Sequence, residues 1–377
     1  MPSWIDPNAW DATVRSGFVY VGLDDQLYIQ EGALQRGGKR RMLSYDKKDC
    51  SWPGWSPDNE WIVFFHITPD GPAVSVTQVH GIEERQVASF DDKIPIFSLW
   101  SPDSKHMVLL LQGDTLEAWL YHIDRPGEGR LLERGAPLFF CWSDDGESIL
   151  FHSVQDAQTA LLIRHFIDPR IPSIPLSRRP GFFCTPLWSN QTIYYVESTA
   201  DDSCLFAIED DQKTLVHRSR GLFSMVLSPS RKLGAVLQGG KTLSLLNVEE
   251  KQLSDLCDVS MQSFFWGDDD QSLIFSQLDK PNGCMNWFRL DIASQELTKL
   301  ESFWPTRAQV FSLHFFEQFI MRGVPTQGDL LYFSGYDASR NEKDYTPKPS
   351  IFSLNFKNGQ RQLLAHGQFC ALPNRCK

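Results

Sequence analysis

Trp55-Ser56-Pro57-Asp58 and Trp100-Ser101-Pro102-Asp103 are two copies of one tetrapeptide, and weaker copies recur along the chain. Trp142-Ser143-Asp144-Asp145-Gly146 keeps the tryptophan and the turn residues, while Trp188-Ser189-Asn190 and Trp266-Gly267-Asp268-Asp269 keep less. Leu227-Ser228-Pro229-Ser230 has lost its tryptophan, and Val324-Pro325-Thr326-Gln327-Gly328 is placed only by the apolar run Leu330-Leu331-Tyr332-Phe333 after it. Successive copies start 45, 42, 46, 39, 39 and 58 residues apart. A period near forty residues marks propeller and solenoid arrays.

Working outward from the motif, each copy is followed by a short apolar run, such as Ile62-Val63-Phe64-Phe65, Met107-Val108-Leu109-Leu110 or Ile193-Tyr194-Tyr195-Val196. These runs are rich in β-branched and aromatic residues and too short for helices, so they read as strands. Another apolar stretch precedes the motif, as in Leu138-Phe139-Phe140-Cys141. The motif is then a turn, with Pro presetting one backbone angle and Asp, Asn or Gly accepting the unusual ones. Two further strand signals per repeat make four antiparallel strands, the unit of an all-β propeller.

The two ends complete one another. Residues 18–43 carry three strand signals and lack a first strand, while 367–374 carry a first strand without followers. Joined, they form a composite blade that hides edge strands from aggregation. Seven internal copies plus this composite predict eight blades in a single domain over 1–377. Seven blades is the alternative, should the copy at Leu227 or Val324 belong to a neighbour.

Composition narrows the function classes. Apolar residues make up 42% of the chain and aromatics 12%, with a net charge of −11 and no basic stripe. Nucleic acid is therefore not an expected partner, because phosphate binding rests on clustered Lys and Arg. The small basic group Lys39-Arg40-Arg41 with Lys47-Lys48 reads as a solvated face. Neither a secretory signal nor an apolar run long enough for a bilayer is read in the chain, so a cytoplasmic, membrane-free protein is expected. The eight cysteines form no Cys-x-x-Cys pair and read as small buried hydrophobes. A Cys370–Cys376 bridge is disfavoured in a reducing compartment.

Trp-Ser-Pro-Asp-x-x-x-Ile-x-Phe at this period resembles the TolB-like propeller repeat, and a related repeat forms the propeller of dipeptidyl peptidases of the prolyl oligopeptidase family. The resemblance implies the fold. For function it implies only a range, from docking scaffold to gating domain to occasional enzyme. Those peptidases carry a Gly-x-Ser-x-Gly elbow in a hydrolase domain, and no such pentapeptide occurs here. Phosphate-binding loops, His-Glu-x-x-His and EF-hand loops are equally absent from the sequence, and no cofactor is expected.

Candidate site residues come from the strand ends and the irregular loops. The second strands end in His66, Gln112, His152, Glu197, Gln238 and Gln277, on the mouth opposite the motif turns. If they converged, two imidazoles and a carboxylate would suit a metal or acid–base chemistry. Strand ends are also where polar residues ordinarily appear. Aromatics precede the motif in most copies, among them Trp52, Phe97, Phe139, Phe183, Phe223, Phe264 and Phe369, and they read as packing between blades. The 58-residue interval contains a mostly apolar segment, 303–319. It is expected to act as a lid, a channel plug or a partner contact through Trp304, Phe315 and Phe316. The Pro-rich link from Ile167 to Pro180, with Arg170, Arg178 and Arg179, is a second contact candidate. The leading expectation is a protein-interaction scaffold with no catalytic group. Two alternatives are a small-molecule or peptide binder under the 303–319 lid, and a metal-assisted lyase or hydrolase using His66, His152 and Glu197.

Overall fold

The tryptophan–serine turns at Trp55, Trp100 and Trp142 close on themselves. In the copy at Trp55, the Ser56 hydroxyl donates to Asp58, the Trp61 amide donates to Ser56 Oγ at 2.9 Å, and Asn59 takes a positive φ of 62°. The copies at Ser101 and Ser143 repeat this geometry, with Ser104 and Gly146 at the left-handed position. The tryptophans stitch blades together. The indole N–H groups of Trp55, Trp142 and Trp266 donate to the carbonyls of Ala371, Leu99 and Val226, each on the first strand of the preceding blade. The turns also bond to one another around this mouth, as when the Asp58 amide donates to Ser104 Oγ at 3.0 Å. The motif thus serves both the turn and the ring.

A computed structural model of the chain describes residues 17–31, 39–45, 47–80, 83–154, 160–179, 185–198, 202–221, 223–267, 270–313, 326–336 and 347–373. Blade one consists of Lys48–Trp55, Trp61–Thr68, Gly71–Gln78 and Glu84–Ser89, paired in sequence order. Blades two to six repeat the plan over 94–135, 138–177, 187–219, 223–258 and 263–305. Blade seven is built on Leu330–Tyr336 and Pro349–Asn355. The long strand Arg361–Ala371 then serves twice. Its first part is the fourth strand of blade seven, and its last part pairs with Phe18–Gly22 as the first strand of blade eight. Leu27–Glu31 and Lys39–Met42 complete that blade. Gly367 sits at the changeover, where a Cβ would lie 2.2 Å from the Val21 carbonyl oxygen. The ring therefore has eight blades and closes through the termini, and the copy at Leu227 opens a full blade of its own.

The core lies between blades, as alternation along each strand dictates. Ile62 and Phe64 pack toward blade eight, whereas Val63 and Phe65 pack toward blade two. Among the described residues no helix is long and apolar enough to cross a membrane.

Blade seven departs from the plan. Thr326–Gln327 supplies only a two-residue first strand, pairing with Leu330 and Leu331. The upper half of that position is taken by Trp304 and Pro305, the end of blade six, which pair with Tyr336 and Gly335. The first strand expected near Phe319 to Gly323 lies outside the described residues.

Candidate functional site

The 303–319 segment is part structure and part display. Phe303 is core, stacked on Trp287 with centroids 5.3 Å apart and 4.7 Å from Phe333. Thr306 then caps a short helix, α1 (Arg307–Phe311), by accepting from the Gln309 amide at 3.1 Å. Gln309 is buried, and its Oε1 accepts from the amide and hydroxyl of Ser334 at 2.8 and 3.1 Å. A buried Leu313 also holds the segment to blade seven. With these anchors inside, Trp304, Val310 and Phe311 remain 42%, 44% and 40% exposed. Phe315 and Phe316 lie outside the described residues.

Phe311 lies 5.7 Å, centroid to centroid, from Trp52 on the first strand of blade one. Trp52 in turn meets Phe369, on the first strand of blade eight, edge to face at 4.7 Å. Both residues have positive φ, 49° for Trp52 and 56° for Phe369. Bulky L-residues rarely adopt that conformation, and such outliers gather at functional sites. Bulges cause it. Strand register shifts between Ser51 and Gly54, between Val19 and Val21, and again between Pro95 and Phe97 in blade two. At these bulges Trp52, Phe97 and Phe369 are only half-buried, while each still packs against a core cluster between blades. The expectation that the motif-preceding aromatics pack between blades is met by these three with part of each ring left exposed. It holds for Phe139, Phe223 and Phe264, which are buried, while Phe183 lies outside the described residues.

The polar strand ends are engaged locally. His66 is buried on the face toward blade eight, with Nε2 2.9 Å from Ser75 Oγ. Burial, with Lys47 adding to it, lowers its pKa to about 4, so the ring is neutral at pH 7. His152 is buried in blade three, near Phe139, on the face shared with Leu150 that packs against blade four. The two imidazoles thus occupy different inter-blade spaces. Glu197 accepts from Ser177 of blade three at 2.6 Å, from Tyr195 at 3.0 Å and from Lys213 at 2.7 Å. Burial would raise this carboxyl, but the bonds from Lys213, Ser177 and Tyr195 outweigh it and hold the pKa low. The Gln238 side-chain amide donates to Ser244 and Asp255 within its blade. Gln277 is half-buried opposite Asn286, and the exposed Gln112 donates to the Gly113 carbonyl. The described contacts do not bring the six together, and no three His, Cys, Asp or Glu side chains among the described residues are grouped to hold a metal.

In the link after Ile167, Arg170 is paired with Asp168. One chain of bonds there was not legible in the sequence: Ser173 Oγ lies 2.7 Å from His165 Nδ1, and His165 Nε2 lies 3.1 Å from Glu133 of blade two. Hydroxyl and carboxylate sit on the opposite ring nitrogens from a serine-hydrolase triad. The chain stitches blade two to blade three.

No protein-family model matches the chain, and no curated protein matches it. Solved structures do. An oligogalacturonate lyase in complex with manganese matches at 11% identity over 89% of this chain and 95% of its own, with a TM-score of 0.55. A prolyl endopeptidase matches at 11% identity over 94% of this chain, TM-score 0.53. This chain spans only 57% of that enzyme's length. The β-propeller domain of the Trilobed protease from Pyrococcus furiosus matches at 12% identity over 84% of this chain and 98% of its own, TM-score 0.52. At these identities the likeness is one of fold alone. The class that the strand order and these neighbours define is that of the β-propellers.

Proposed function

We propose that this propeller is a protein-docking scaffold whose partner seats on the mouth that carries α1. The observation behind this reading is the anchoring of a short helix by buried Gln309 and Leu313 so that Trp304, Val310 and Phe311 face solvent. Aromatic residues held rigidly at a surface lose little entropy on binding and dominate interface energetics. The bulged Trp52–Phe369 pair beside Phe311 extends the same surface toward the ring axis. A second reading, a small ligand stacked on Trp52 and Phe369, draws on the same pair. Metal-assisted lyase chemistry of the sort named for the manganese-bound neighbour lacks support among the described residues, because His66 and His152 face different inter-blade spaces.

A photo-crosslinking amino acid at Val310, with Leu297 at the other mouth as control, tests the proposal in lysate of the producing cells. Protein adducts at Val310 and not at Leu297 are expected. Absence of adducts at Val310, with a bound small molecule in the native mass spectrum, would transfer the site to the second reading.

A further inference from the structure

We infer that the partner segment docking on this mouth is basic and carries a large apolar side chain, and that it seats over blades eight, one and two. The inference rests on the scaffold reading and adds the partner's chemistry. Links between blades and turns between second and third strands share this mouth, so its surface can be read directly from them. Across the sector they expose Leu23, Tyr45, Ile67 and Ile94, with Tyr45 and Ile94 at 65% and 58%. Two backbone contacts show that these links and turns abut. The Cys50 amide donates to the Asp25 carbonyl at 3.1 Å, and the Phe90 amide donates to the Pro72 carbonyl at 2.9 Å.

Between these apolar groups stand six exposed aspartates: Asp25, Asp49, Asp70, Asp91, Asp92 and Asp114. None of their carboxylates forms an ion pair among the described residues. Lys47 and Lys93 are engaged elsewhere, Lys47 with Glu84 at 2.8 Å and Lys93 with Glu117 at 2.9 Å. Burial, and then the charges of Asp49 and Asp24, raise the pKa of Asp25, which shows that the carboxylates feel one another. Farther round the same mouth stand exposed arginines, Arg178, Arg179 and Arg220, in the links after blades three and four. Unpaired like charges around apolar groups favour an occupant of opposite charge, which gains steering and register from the rim and affinity from the apolar contacts. Lys and Arg around a Trp or Leu meet both demands.

The test uses the full chain and three synthetic octapeptides: one with Lys and Arg flanking a central Trp-Leu, one with Glu replacing the basic residues, and one with Gly-Gly replacing Trp-Leu. Binding is followed by calorimetry. The first peptide is expected to bind with a Kd on the order of tens of micromolar, and the other two at least about tenfold more weakly. Asp91→Lys with Asp92→Lys should weaken the first peptide about tenfold. Glu249→Lys with Glu250→Lys makes the same change in net charge on an exposed turn of the other mouth. That control should leave binding within about twofold. Equal weakening by the control pair would reduce the effect to net charge and overturn the inference. Absence of saturable binding of the first peptide below about 1 mM would overturn it too. Val310 adducts obtained alongside that failure would leave the scaffold standing with a partner of different chemistry.

Discussion

The first strands of blades five and six differ from those of blades eight, one and two, although all descend from one repeat. In blades five and six the first strands, Phe223–Leu227 and Ser263–Trp266, pair with their neighbours in unbroken register. Their aromatics Phe223 and Phe264 are buried at 1% and 0% exposure. In blades eight, one and two the register slips, Trp52 and Phe369 adopt positive φ, and the aromatics Trp52, Phe97 and Phe369 are only half-buried, with Trp52 beside Phe311. The same residue class in the same repeat position is fully buried on one side of the ring and half-buried on the other. One sector carries stability, and the other has given some up to display side chains.

This contrast can be broken by mutation. Phe264→Ala should cost about 3–5 kcal/mol in a denaturant melt, through lost burial and the cavity left behind. A near-neutral result would remove the packed half of the comparison. Next comes His66, in the wedge between blades one and eight. Its pKa in the folded protein, about 4, lies below the unfolded value of 6.5, so the unfolded chain binds more protons between them. Stability should therefore fall as pH drops from 6.5 to about 4 and level off below, by up to about 3 kcal/mol. His66→Gln should flatten that window, and parallel pH curves for the two proteins would show that His66 does not titrate there.

Trp52→Gly sharpens the comparison directly. Glycine takes positive φ without strain, returning roughly 1–2 kcal/mol against the lost ring contacts, so the net loss should stay below about 2 kcal/mol. A loss as large as that of Phe264→Ala would place Trp52 in the core. The smallest effect belongs to Asp25, whose raised pKa means that its charge opposes folding at neutral pH. Its contribution improves as pH falls through the folded pKa. Asp25→Asn, which also suits a φ of 59°, should raise Tm slightly at pH 7 and lose that advantage near about pH 3. A lowered Tm at pH 7 would refute the carboxylate repulsion.

Most of the architecture was legible because a blade is a local object. Four short strands and a turn whose Ser and Asp side chains bond within five residues leave a periodic trace, and tryptophans such as Trp55 and Trp142 mark the intervals. Site residues left a weaker trace. His66, His152 and Glu197 all stand near the ends of second strands, but His152 is one residue out of step with His66, so alternation sends the imidazoles to opposite blade faces and separate wedges. The irregular interval pointed to 303–319 and to Trp304, which is exposed in the structure. It did not show that Trp304 and Pro305 would pair with blade seven.

By itself, then, the sequence determined the repeat, the closure through the termini and the acidic character of the chain, because each depends on local pattern or on composition, and it left the blade count between eight and seven. Only the tertiary structure decided which aromatics are buried, which polar residues meet, and where exposed apolar groups and unpaired aspartates fall on the same mouth. Those depend on bulges that rotate a side chain from one face to another and on contacts between residues such as Trp52 and Phe369, more than three hundred positions apart.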